Sequence, residues 1–112
     1  MQVNQHQTQE AIEVIPTENQ LSATANHLAK TYNETKSHLI VNLLNFKSDM
    51  QLNDLLNFLK LSNHYKSNKK SFVIVAPQID VHQVPEELAI VPTLNEAFDI
   101  IEMENIERDL GF

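Results

Sequence analysis

The chain has 112 residues, of which 42% are hydrophobic; that is enough for one domain burying roughly two-thirds of its unfolded surface, and too little for two. It contains no cysteine, which excludes a disulfide staple, a thiol nucleophile and a thiolate metal site. Its net charge of −7 is unevenly placed: Glu86 to Phe112 holds eight acids against Arg108 alone, while acids and bases cancel in the remainder. Affinity for nucleic acid comes largely from neutralised phosphates, so this bias argues against a nucleic-acid partner.

Met1 to Gln7 has neither a basic start nor an apolar stretch, so no secretory signal is expected. The longest apolar stretches, such as Leu39 to Leu44 and Phe72 to Ala76, fall far short of the ~20 residues that span a bilayer. A cytoplasmic protein with no membrane contact is expected. Residues 1–9 are Gln-rich and read either as disordered or as an edge strand. Ala11 to Ile15 is β-rich and stopped by Pro16, the mark of a strand. Thr17 to Gln20 forms a capping box, in which the Thr hydroxyl accepts from the backbone three residues on and the Gln amide reaches back. Leu21, Ala25, Leu28, Ala29 and Tyr32 then recur on one face of a helix.

His38 to Leu44 is nearly continuous in apolar residues and suits a strand buried on both faces of a parallel sheet. A loop over Asn45 to Ser48 leads to a helix from about Asp49 or Met50. Leu52, Leu55, Leu56 and Leu59 are expected to mark its buried face, widened by Phe58 and Leu61. Ser67 to Lys70 is a polar connection, and Phe72 to Ala76 a second apolar strand. Val81 to Leu88 reads as an irregular crossover, and Ala89 to Val91 as a brief strand. Thr93 to Glu96 is a second capping box, opening a helix through about Asp109 with Gly111 as its stop. Leu94, Ala97, Phe98, Ile101 and Ile106 are expected to face inward. Strands alternating with helices predict a single α/β domain over residues 1–112, with a four- to five-stranded, mostly parallel sheet and amphipathic helices packed on it. A single glycine in the whole chain rules out a Gly-rich phosphate loop.

From Leu39 onward this order resembles the STAS domains, the group that includes bacterial anti-sigma-factor antagonists. The resemblance lies in the strand Leu39 to Leu43, the helix stripe Leu52 to Leu61, the strand Phe72 to Ala76 and the string Ile90 to Ala97. It implies a STAS-like fold and a regulatory, non-catalytic role, with a kinase-like anti-sigma factor as the protein partner. In that family the partner is contacted by the loop and first turn of the second helix, which here nominates Ser48, Asp49, Gln51 and Asn53. Typical antagonists carry Asp-Ser followed by Ser or Thr and Gly there, and the first Ser is phosphorylated by the partner; added phosphate charge then blocks docking. Ser48 is the sole hydroxyl of the stretch Ser48 to Asn53 and no Gly follows. It reads as a helix cap, with phosphorylation at Ser48 as the alternative.

The strings Val91 to Leu94 and Glu107 to Phe112 are also similar to those of small flavobacterial proteins, some of which bear the name ribonuclease Z. That enzyme needs a His-x-His-x-Asp-His cluster, which this chain lacks. Two alternatives to the regulatory reading follow: an accessory role in tRNA 3′ processing, and a self-associating module, for example a homodimer. His6, His27, His38, His64 and His82 do not share the spacing of a zinc site, so no metal is expected. Lys60, His64, Lys66, Lys69 and Lys70 cluster at the end of the second helix, where positive charge complements the helix dipole; the alternative is a docking site for the acidic helix of another copy. Adjacent acids such as Glu86 and Glu87 lack the cleft geometry of acid–base catalysis. No catalytic residue and no cofactor is expected.

Overall fold

A computed structural model of the chain describes residues 1–17, 21–46, 51–76 and 81–111. Its elements are β1 (Gln2–His6), β2 (Ala11–Ile15), α1 (Leu21–Thr31), β3 (His38–Asn42), α2 (Leu52–Leu55), a 3₁₀ turn (Leu56–Phe58), α3 (Leu59–Ser67), β4 (Phe72–Val75), a second 3₁₀ turn (Val81–Gln83), β5 (Ala89–Val91) and α4 (Leu94–Asp109). The strands form one sheet in the order β1-β2-β3-β4-β5. β1 runs antiparallel to β2, with Gln2 opposite Ile15 and His6 opposite Ala11. The other four strands are mutually parallel. The Gln-rich start is therefore an edge strand, held by a tight hairpin in which Glu10 takes a positive φ of 53°. A polar strand is tolerated there because only one side of it pairs.

Alternation along the strands sends side chains to two different layers. Val14, Leu39, Val41, Phe72, Ile74 and Ile90 meet α1 and the helical segment 52–67 in the larger core. Ala11, Ile40, Val73 and Val75 meet Ala97 and Ile101 of α4 in the smaller one. β3 and β4 are thus covered on both faces, which is why Leu39 to Val41 and Phe72 to Val75 are continuously apolar.

Several inward assignments change. In the segment 52–67 the buried positions are Leu55, Phe58, Leu61, Ser62 and Tyr65, while Leu52, Leu56 and Leu59 are only partly buried. The 3₁₀ turn at Leu56–Phe58 advances the chain by three residues per turn, so the stripe slips from the spacing of an unbroken helix. Ala29 of α1 is exposed, and Thr24 takes the buried position. Ile106 is 52% exposed, so it does not continue the inner face of α4.

Two terminations follow from local chemistry. The Thr93 hydroxyl accepts from the Glu96 backbone N–H at 3.2 Å, opening α4, and Gly111 at φ 83° closes it. At the end of α3, Lys69 N–H reaches the Lys66 carbonyl at 3.0 Å and Lys70 N–H the Tyr65 carbonyl at 2.9 Å. This is a Schellman closure with Lys69, at φ 62°, in the left-handed position that glycine normally fills. The Thr17–Gln20 box runs into residues outside those described.

Candidate functional site

Binding sites of parallel α/β sheets lie beyond the carboxyl ends of the strands. At that end of β3 the Asn42 side chain organises the turn: its Oδ1 accepts from the Leu44 backbone N–H at 3.0 Å. Leu44 is left 42% exposed. Ser48 and Asp49 lie outside the described residues. Gln51 and Asn53 are exposed where α2 begins. The Asp54 carboxylate accepts from the Gln51 backbone N–H at 2.9 Å, fixing the first turn without using the Asn53 side chain.

The same Asn42 connects this turn to a buried charge that periodicity alone did not nominate. Its Nδ2 donates to Glu13 Oε2 at 2.7 Å, while Oε1 of Glu13 meets His6 Nε2 at 2.9 Å and Asn4 Nδ2 at 3.3 Å. Glu13 is only 3% exposed. Burial pushes its carboxyl up, but the hydrogen bonds from Asn42, His6 and Asn4 outweigh that and hold it below the ordinary range. A carboxylate stabilised in its charged form is a poor proton donor and a weak base at neutral pH. It ties β1 to β3 through β2 and locates the β3 turn. The signal for it was present: an acid inside the apolar run Ala-Ile-Glu-Val-Ile, in step with Ala11 on the α4 side.

At the opposite, amino end of the strands lies an open cavity of about 800 Å³, lined among others by Glu10, His38, Lys69, Lys70, Phe98 and Arg108. The second half of α4 supplies one wall through Glu102, Asn105, Arg108 and Asp109, and Glu104, Asn105 and Arg108 occupy its sheet-facing positions after Ile101. Arg108 Nη2 donates to Ser71 Oγ at 3.0 Å and to Asn105 Oδ1 at 2.6 Å, and Ser71 Oγ donates to Glu104 Oε1 at 2.5 Å. His38 Nδ1 accepts from the Ser71 backbone N–H at 2.9 Å. Neutral His38 therefore carries its proton on Nε2. Burial, then Lys70 and Arg108, push its pKa down to about 4.

Serine, histidine and acid thus come together, but not in the wiring of a nucleophile. The histidine bonds the serine's backbone rather than its hydroxyl, and Ser71 is fully buried. A nucleophile–base pair needs the base on the reacting hydroxyl.

His27, His64 and His82 are exposed, and no group of three or more metal-ligating side chains occurs among the described residues. Of the basic cluster, Lys66 donates to the Glu87 carbonyl at 2.8 Å. Lys66 and Lys69 share a second cavity with Glu104, Glu107 and Arg108 of the same chain's α4. Among the described residues no helix is long and apolar enough to cross a membrane. No protein-family model matches the chain, and no curated protein matches it significantly.

Proposed function

We propose that this chain is a non-catalytic regulatory module of STAS type that docks a kinase-like anti-sigma factor. The contact runs through the turn after β3 and the first turn of α2. The observation that carries the reading is the state of that segment. It lies at the carboxyl end of β3, where parallel sheets place their ligands, and Leu44, Gln51 and Asn53 face solvent with no part in the core. The element order, an antiparallel edge hairpin followed by parallel strands with intervening helices, also supports it.

Affinity capture from the native host with the wild-type chain and with Gln51→Arg/Asn53→Arg tests the proposal. Recovery of an ATP-binding anti-sigma factor by the wild type, lost in the double variant at unchanged melting temperature, is the expected result. Recovery of a ribonuclease, or of the chain alone, would replace this reading with one of its alternatives.

A further inference from the structure

The last two turns of α4 reverse the polarity of the first two. Up to Ile101 the helix sets Ala97 and Ile101 against the sheet. Beyond it the sheet-facing positions are the polar Glu104, Asn105 and Arg108, and the large apolar residues point outward. Met103 is 53% exposed, Ile106 52% and Leu110 67%. Their spacing of three and four places them on one stripe about 10 Å long. These three residues make up half of the exposed large hydrophobics among the described residues. The protein's own core does not use them, since Ser71 and His38 occupy the space under this part of the helix.

What surrounds the stripe selects its occupant. Asp99, Glu102, Glu107 and Asp109 are exposed beside it, and none forms an ion pair among the described residues. The helix's single base, Arg108, is turned inward onto Ser71 and Asn105. A symmetric second copy would set these acids against their own kind at an isologous contact. Nucleic acid and anionic membrane surfaces are repelled for the same reason. We infer that the outer face of α4 docks a basic amphipathic helix of another protein, its apolar stripe packing on Met103, Ile106 and Leu110 and its Lys or Arg side chains meeting the flanking acids. This surface is separate from the turn at Gln51 and Asn53, so either can fail alone.

The probe is a synthetic peptide of about 18 residues, five helical turns, with leucines on one face and lysines elsewhere, titrated by fluorescence anisotropy at about 0.15 M salt. Expected is saturable binding that weakens at least ~10-fold in Met103→Ser/Ile106→Ser/Leu110→Ser and several-fold in Glu102→Gln/Glu107→Gln, with the Gln51→Arg/Asn53→Arg chain binding as wild type. The replaced side chains are exposed, so melting temperatures should be unchanged; Ile106→Asp gives a second variant with the same expected loss. Undiminished binding by the serine variant overturns the inference. So does equal binding of a scrambled peptide of the same charge, or sedimentation showing that the stripe joins two copies of this chain.

Discussion

The two faces of the sheet are built on different terms. Under α1 and the segment 52–67, Val14, Leu28, Leu39, Val41, Phe58, Phe72 and Ile74 are all but inaccessible, and among the described residues no carboxyl or imidazole belongs to that core. Two polar groups there close on backbone: Ser62 Oγ donates to the Glu87 carbonyl at 2.6 Å and Tyr65 Oη to the Tyr32 carbonyl at 2.8 Å. Burial, and then Tyr32, push the Tyr65 phenol up to about 12, so it stays neutral. Under α4, by contrast, a single helix covers the sheet, and both Glu13 and His38 sit on that side, each matched by specific donors or acceptors. A thinly covered face can hold ionisable groups because a carboxylate or ring placed there finds partners across strands. Stability should therefore reside mainly on the first face and its pH dependence on the second.

The strongest way to break the comparison is to truncate the first face. Phe58→Ala removes a fully buried ring whose centroid lies 6.1 Å from that of Phe72, and should cost about 3–5 kcal/mol in urea unfolding. A loss under about 1 kcal/mol would mean that the larger core does not dominate.

Acidification probes the second face. The folded pKa of His38 is depressed from 6.5 to about 4, so the unfolded chain binds the proton more readily. Its contribution is fully present above about pH 6.5 and is lost as pH falls toward 4, up to about 3 kcal/mol in all. Glu13, also depressed, adds a loss that begins only near and below 4.5. His38→Asn should flatten the upper step and leave the lower one. An unchanged slope between pH 6.5 and 4 in that variant would place the titration elsewhere.

The smallest expected effect is a gain. Lys69→Gly relieves the left-handed residue of the α3 closure and should stabilise the chain by about 0.5–1 kcal/mol, since Lys69 is exposed and belongs to neither core. A destabilised glycine variant would show that the Lys69 side chain contributes more than its backbone conformation costs.

The strands and the closure of α4 were legible in the sequence. Ala11–Ile15, Phe72–Val75 and Ala89–Val91 declare themselves through β-branched residues and flanking prolines. The Thr93 cap and the Gly111 stop occupy positions that only short polar or glycine residues fill well. For the candidate contact segment the sequence predicts a helix start at about Asp49 or Met50, whereas α2 begins at Leu52 behind an extended Gln51. Of its four nominated residues, Gln51 and Asn53 are placed at the exposed helix start, and Ser48 and Asp49 fall outside the described residues.

Charge asymmetry, the missing cysteine and the alternation of strands with helices belong to the sequence alone. They depend on residue type and local spacing. Which side of a helix meets the sheet was decided by tertiary structure. Periodicity fixes the stripes of α4 relative to one another, yet Ile106 turns outward and Arg108 inward because Ser71, 37 residues earlier in the chain, lies beneath that turn. The same holds for Glu13: its position in the strand was plain, but its three donors come from β1 and β3, and only the pairing of those strands brings them to one carboxylate.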